Sequence, residues 1–368
     1  MAGGRARAIS HDHAGDPSSL EGVKGFASDN NAAAHPEVLA ALVEANDGHA
    51  TAYGDDPWTA RAEQLLKAHF GEQAASYLVF NGSAANVLCL RALCRPWQSV
   101  ICTAQAHVNV DEGGAPESIA GVKLQPVQTH DAKLTPEHVE WQLGRLGDQH
   151  AVQPRVVSVT QSTELGTRYE PHELRALSDF AHGRGLLLHV DGARLANAAA
   201  ALDVSLREIT TDAGVDAISF GGTKNGLLMG EAVIFCDRRH AEGFPFLRKQ
   251  TLQLASKGRF LAAQFVALLE GDLWRRSAAH SNAMAARLAE ALLAVPGVRL
   301  TQPVQANGVF AILPPGAVER LRRDWRFHSW EQSTGEVRLM CSWDTTPEEV
   351  DAFSADLARA HQTAGAGS

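Results

Sequence analysis

The chain has 368 residues, roughly two to three times the usual size of one domain, which predicts one large domain with a smaller companion. Its 45% hydrophobic, 6% aromatic and 20% charged residues are ordinary globular composition and exclude the disordered and fibrous classes. With 33 Lys and Arg against 42 Asp and Glu the formal net charge is −9, the wrong sign for wrapping nucleic acid or docking on anionic lipid, so neither nucleic acid nor membrane is expected as a partner.

Residues 1–22 contain Arg5 and Arg7 with no apolar run behind them, so a signal-peptide core is absent, and no stretch reaches the roughly 18 apolar residues of a membrane span. This segment reads as a disordered tail. Its His11-Asp12-His13 reads as solvated, and no metal is expected. The cysteines (Cys89, Cys94, Cys102, Cys236 and Cys341) are odd in number and never spaced C-x-x-C, which suggests neither a disulfide framework nor a zinc knuckle. A cytoplasmic protein is the expectation.

One helix opens at Pro36, carries Val38, Leu39, Leu42 and Val43 on one side and stops near Gly48; a second opens at Pro57 and carries Ala62, Leu65, Leu66 and Phe70 before Gly71. Short apolar runs then predict strands at Tyr77 to Phe80, Val100 to Thr103, Val156 to Thr160, Leu186 to Val190, Ala217 to Phe220 and Ala232 to Phe235. Alternating with helical patterns, they imply an α/β fold with a mostly parallel central sheet. From about Leu247 to Leu293 the sequence reads as long helices, with Lys249 to Leu269 amphipathic and Trp274 to Leu293 rich in alanine. Runs at Val298 to Leu300, Val309 to Leu313 and Val337 to Cys341 predict a smaller α+β unit. The boundaries expected are a tail over 1–22, a large domain over 23–272 and a small domain over 273–368.

Ligands of an open parallel sheet bind at the carboxyl ends of its strands, and three such ends are unusual. Phe80-Asn81-Gly82-Ser83 runs from a strand into a helical pattern, which makes either an anion cradle of backbone amides or a plain serine cap. Leu186 to Arg194 (LLLHVDGAR) ends a strand on Asp191, either an acid aimed into the crevice or a helix cap. Ala217 to Gly230 breaks into glycines around Lys224, which is a reacting amine, an anion binder or a solvated turn residue. The spacing of a P-loop is absent there. Taken together in this order, the three ends match one cofactor. Pyridoxal 5'-phosphate needs a helix N-terminus for its phosphate, a carboxylate on its pyridine nitrogen and a lysine for a Schiff base.

The same residues carry a family resemblance. Ala27-Ser28-Asp29-Asn30, Tyr53-Gly54-Asp55-Asp56-Pro57, Phe80-Asn81-Gly82-Ser83, Ala106-His107, His189-Val190-Asp191-Gly192-Ala193-Arg194, Gly221-Gly222-Thr223-Lys224-Asn225 and Val337-Arg338-Leu339 occur in order from about Phe26 to Asp351. In this the chain resembles the low-specificity threonine aldolases, pyridoxal-phosphate enzymes of the aspartate-aminotransferase fold (fold type I). The resemblance implies that Lys224 binds the cofactor covalently, that Asp191 pairs with the pyridine nitrogen, that Gly82 and Ser83 hold the phosphate and that His107 stacks on the ring. It implies that Ser28, Arg194 and Arg338 bind the substrate carboxylate, and that Tyr53, Lys257 and Arg259 serve a neighbouring subunit, the basic pair toward its phosphate. A homo-oligomer, a dimer of dimers, is implied as well.

The segment around Lys257 and Arg259 (LASKGRF) differs from the glycine-rich version of many members, and Thr163-Glu164 stands where many carry threonine-histidine. The expected activity is cleavage of threonine or a related β-hydroxy-α-amino acid into glycine and an aldehyde, with His107 or Glu164, directly or through water, taking the hydroxyl proton. A β-eliminating lyase, an aldolase for aromatic β-hydroxy amino acids and a silent cofactor binder are the alternatives. A nicotinamide enzyme is disfavoured because no G-x-G-x-x-G follows the first strand.

Overall fold

The computed structural model describes residues 25–365; the expected tail over 1–22, with His11 and His13, lies outside them. The strands of the larger unit are β1 (Ala75–Val79), β2 (Gln98–Thr103), β3 (Lys123–Val127), β4 (Gln153–Thr160), β5 (Leu187–Gly192), β6 (Ala217–Gly221) and β7 (Glu231–Phe235), in the order β1-β7-β6-β5-β4-β2-β3. All neighbours are parallel except β7, which runs antiparallel to both β1 and β6. Two reversals restore direction, so β1 points the same way as β2, β4, β5 and β6. The carboxyl ends of all of these strands therefore open on one edge of the sheet, together with the amino end of β7.

Helices cover both faces of this sheet, as near-continuously apolar strands require. They are α1 (Pro36–Ala45), α2 (Pro57–Phe70), α3 (Gly82–Leu93), α4 (His107–Val110), α5 (Pro136–Glu140), α6 (Pro171–His182), α7 (Leu195–Leu202), α8 (Phe244–Gln250), α9 (Gly258–Glu270) and α10 (Leu273–Leu293). Among the described residues no helix is long and apolar enough to cross a membrane. The smaller unit is an antiparallel sheet of β8 (Arg299–Leu300), β9 (Gly308–Ile312), β10 (His328–Glu331) and β11 (Glu336–Met340), with α11 (Ala317–Leu321) and α12 (Pro347–Gly365). Its core includes Phe26, which stacks on Trp325 and meets Phe353 edge-on, so the start of the described chain is built into the second core.

Several local expectations are corrected. The amphipathic stretch over Lys249–Leu269 is two helices with a break at 251–257. There Leu252 adopts a left-handed backbone (φ 66°), Gln253 Oε1 accepts the Phe80 N–H at 3.1 Å, and the Ser256 carbonyl accepts the Tyr53 N–H at 2.9 Å. The connector is thus spent on holding the end of β1 and the 51–55 loop. Strand β3 escapes the sequence reading because Pro126 and Lys123 interrupt its pattern; as an edge strand it tolerates both. Strand β10 (HSWE) is likewise a polar edge strand with a bulge.

Close approach of backbones sets one glycine. A Cβ on Gly221 at the end of β6 would lie 2.5 Å from the Ala193 carbonyl oxygen. Gly221→Ala must therefore separate two strand ends, at about 1–3 kcal/mol. It is expected to lower the melting temperature by several degrees while the neighbouring Ala193→Gly change does not, which scanning calorimetry measures directly.

Candidate active site

The shared strand edge opens into a cavity of about 2460 Å³ closed on the far side by the smaller sheet. Gly82 and Ser83 after β1, His107 after β2, Glu164 after β4, Asp191 and Arg194 from the end of β5, and Lys224 after β6 all line it. Ser28 and Arg338 border the same space from the second unit's side. The sheet direction is what assembles residues so far apart in sequence.

At α3, Asn81 is the cap: its Oδ1 accepts the Ala84 N–H at 2.9 Å. Ser83 is therefore inside the first turn, with its hydroxyl free of the capping duty that one reading assigns it. A Cβ at Gly82 would meet nothing within 4 Å, so the first-turn amides face open cavity at the positive end of a three-turn helix. The alternative reading of Asp191 as a helix cap is also corrected. It ends β5 within hydrogen-bond register of Thr160 and Ser219, and α7 starts only at Leu195 with Arg194 in the cap position. Asp191 Oδ1 accepts the Ala193 N–H at 3.1 Å, and Oδ2 accepts from Asn86 Nδ2 at 2.8 Å.

His107 opens α4 and carries its imidazole at the cavity wall. Its Nδ1 lies 2.9 Å from Glu112 Oε1, and the hydrogen bond to that carboxylate raises the imidazole's proton affinity, with burial opposing and Asp191 adding to it. The main-chain N–H of His107 donates to Glu164 Oε1 at 2.9 Å, and the Thr160 hydroxyl donates to the same oxygen at 2.6 Å. Glu164 Oε2 is buried with no partner. Burial pushes the Glu164 carboxyl up to about 7, against the hydrogen bond from Thr160.

Lys224 sits in a single 3₁₀ turn, Thr223–Asn225. Burial, then the Arg194 guanidinium, lower its proton affinity, while Asp29, Asp191 and Glu231 pull the other way. The result is an amine shifted toward its neutral, nucleophilic form. Glu231, at the start of β7, accepts the Gly222 N–H at 2.8 Å and holds this turn; burial pushes its carboxyl up to about 7.

Arg194 is not a free clamp. Its Nε and Nη2 donate to the two oxygens of the buried Asp29 at 2.6 and 2.8 Å, and Asn307 Nδ2 donates to Asp29 Oδ2 at 3.0 Å. Burial would push the Asp29 carboxyl up, but the attraction and hydrogen bonds of Arg194 outweigh it and hold it below its ordinary value. Arg338 is less satisfied. Its Nη2 donates to the Ala27 carbonyl at 3.3 Å, its guanidinium lies 5.3 Å from the Trp330 ring centre, and its Nε is buried without a partner. Burial and then Arg194 lower its proton affinity to about 10, the signature of a cation short of an anion. Ser28 caps the short turn Asp29–Asn31, its hydroxyl accepting the Asn30 N–H at 3.1 Å.

Tyr53, Lys257 and Arg259 lie outside this cavity. Tyr53 is exposed with the Lys249 amine 5.2 Å above its ring, Lys257 precedes α9 without a side-chain capping bond, and Arg259 Nη1 donates to the Gly48 carbonyl at 3.1 Å. Residues bonded to the site that sequence reasoning passed over are Asn86, Glu112, Glu231 and Asn307. Asn86 lies one helical turn past Gly82, just beyond the Phe80-Asn81-Gly82-Ser83 motif. Nothing in spacing alone singles out the other three.

A family model for the beta-eliminating lyases matches residues 25–314. The chain is 49% identical to a low specificity L-threonine aldolase of Pseudomonas aeruginosa over 334 residues, covering 90% of this chain and 96% of that one. It is 47% identical to the enzyme of the same description from a Pseudomonas species over the same shares. Among solved structures, the threonine aldolase of Leishmania major superposes with a TM-score of 0.87 at 32% identity, covering 91% of this chain and 99% of that one. The mostly parallel sheet with its single antiparallel insertion, the site at its carboxyl edge and these likenesses together place the chain in the beta-eliminating lyase family, among the low-specificity threonine aldolases.

Proposed function

We propose that the protein is a pyridoxal 5'-phosphate-dependent aldolase that cleaves L-threonine, L-allo-threonine or a related β-hydroxy-α-amino acid into glycine and an aldehyde. The observation that carries this is the convergence of an activated amine, Lys224, a buried carboxylate, Asp191, and open helix-start amides at Gly82 and Ser83 on one cavity. This donor set fits the cofactor: the amides and helix dipole suit a phosphate, the carboxylate a protonated ring nitrogen and the amine an aldehyde carbon. When bound, the cofactor supplies an electron sink for a bond broken at the substrate α-carbon.

The chain's own residues do the rest. Asp191 would hold the protonated ring nitrogen of the cofactor, and the imidazole of His107 would lie against its ring. Arg338, with an unpartnered Nε, binds the substrate carboxylate beside Ser28, and Arg194 contributes with the nitrogen that Asp29 leaves open. Glu164 accepts the β-hydroxyl proton. Its carboxyl titrates near neutrality, where a general base works best, and its Oε2 is left without a partner.

Tyr53, Lys257 and Arg259 serve the site of a neighbouring copy, in a homo-oligomer built as a dimer of dimers. Supporting this, Leu252 (83% exposed), Phe246 (80%) and Val43 (76%) leave large apolar side chains in water on the elements that carry those residues or adjoin them.

The test is the visible spectrum of the purified protein with pyridoxal 5'-phosphate, followed by L-threonine with glycine and acetaldehyde assayed together. An absorption band of lysine-bound cofactor and both products in equal amounts are expected. 2-Oxobutyrate and ammonia in their place would indicate an eliminating lyase, and a band without any product would indicate a silent binder.

A further inference from the structure

Behind the cavity wall lies a hydrogen-bonded cluster that ties two of the proposed functional groups together. Glu112 follows α4, and its side chain has 0% exposure. Its Oε1 meets His107 Nδ1 at 2.9 Å and accepts from Asn86 Nδ2 at 2.9 Å. The same Asn86 amide nitrogen donates to Asp191 Oδ2 at 2.8 Å. Both hydrogens of one amide are thus spent on two different carboxylates, which fixes its rotation. The arrangement leaves Asn86 Oδ1 and Glu112 Oε2 buried without partners. Such orphaned atoms are destabilising, so the cluster is poorly explained by stability and well explained by what it orients.

We propose that Glu112 and Asn86 are positioning residues that hold the His107 imidazole and the Asp191 carboxylate as one rigid unit, with His107 Nδ1 protonated toward Glu112 and Nε2 left to the cavity. The tautomer follows from the bonding. Glu112 Oε1 already accepts an N–H from Asn86, so it stands as an acceptor and the ring nitrogen donates. The placement follows from the elements: Asn86 sits on α3 three residues past Ser83, so the helix whose start faces the cavity also anchors the carboxylate at the end of β5. The charged groups facing His107 are Glu112 and Asp191, which favour its protonated form, Lys224, which opposes it, and Glu164, which accepts its main-chain N–H. Glu112 is the largest of these influences.

The proposal deepens the aldolase reading, and its kinetic arm rests on that reading; its labelling arm does not. Diethylpyrocarbonate acylates unprotonated imidazole, so the pH dependence of His107 modification, read by peptide mass spectrometry on the full-length protein with and without pyridoxal 5'-phosphate, reports its titration. In Glu112→Gln, which keeps the shape and an acceptor oxygen but removes the charge, the His107 midpoint is expected to fall by about one pH unit. The acid limb of kcat/KM should move the same way, with KM for L-threonine changed less than about twofold. Asn86→Ala should weaken pyridoxal 5'-phosphate binding about tenfold and shift the pH dependence of its absorption band, the scale of one lost hydrogen bond to a charged group.

A folded Glu112→Gln variant with unchanged His107 labelling and pH profile would overturn the proposal. If that variant fails to fold, the wild type decides: the His107 midpoint must lie above the ordinary imidazole value of about 6.5, and a midpoint at or below that value would refute it. Failure of the wild type to release glycine would count against the aldolase reading alone, because the labelling comparison needs no turnover.

Discussion

Replacing Lys224 by alanine is expected to abolish glycine release from L-threonine and to remove the absorption band of lysine-bound cofactor, while leaving the protein folded. The expectation comes from where the amine sits. It sits in a 3₁₀ turn on the cavity that Gly82, Ser83 and Asp191 also line, and burial and Arg194 weaken its hold on a proton. A lysine whose affinity for a proton is lowered in the folded state opposes folding at every pH where it is charged. Its removal therefore relieves a cost, and the melting temperature of the variant without cofactor should not fall. Borohydride reduction of the wild type with bound pyridoxal 5'-phosphate, followed by peptide mapping, should place the adduct on the Lys224 peptide. Adduct on any other lysine, or undiminished turnover in Lys224→Ala, would remove Lys224 from the role.

Glu164→Gln has the second largest expected effect, a loss of about 10²- to 10⁴-fold in kcat, the usual worth of one general base. The pH profile provides a check that a merely structural role would not meet. The Glu164 carboxyl is pushed up to about 7, so its ionised, proton-accepting form disappears as pH falls through 7, and wild-type kcat should fall with it; the glutamine variant should lack that limb. The same shift has a stability consequence of definite sign. A carboxyl raised in the folded state stabilises below its unfolded value and loses that contribution as pH rises through its folded value. From the ordinary 4.5 to about 7 this amounts to on the order of 3 kcal/mol. Wild-type melting temperature should accordingly fall relative to Glu164→Gln between about pH 4.5 and 7 and level off above that. Equal kcat in both proteins would pass the proton to His107.

Much of the fold was legible because its signals are local. Apolar runs buried on both faces mark β2, β4, β5, β6 and β7, and proline openings with a glycine close after the end mark α1 and α2. The edge strands β3 and β10 were not legible, since an edge is free of the patterning that two buried faces impose. Nor was the break at 251–257, which follows from contacts with Phe80 and Tyr53 far away in the chain.

By itself the sequence determined which chemistry the protein could carry: a lysine, an aspartate and a glycine-serine pair, each at the end of a strand run, in an order that one cofactor answers. Glu164 was marked as an acid of interest only by the family resemblance, as a departure from it. Only the tertiary structure decided what those groups are bonded to. Asn86 reaches Glu112 across 26 residues and Asp191 across 105, and Arg194 reaches Asp29 across 165. Composition and spacing carry no record of such pairs, because a hydrogen bond is set by distance and angle between atoms that a folded sheet brings to one edge. Proton affinities follow the same rule: the shifts at Glu164, His107 and Lys224 arise from burial and neighbours that exist only once the strands are aligned.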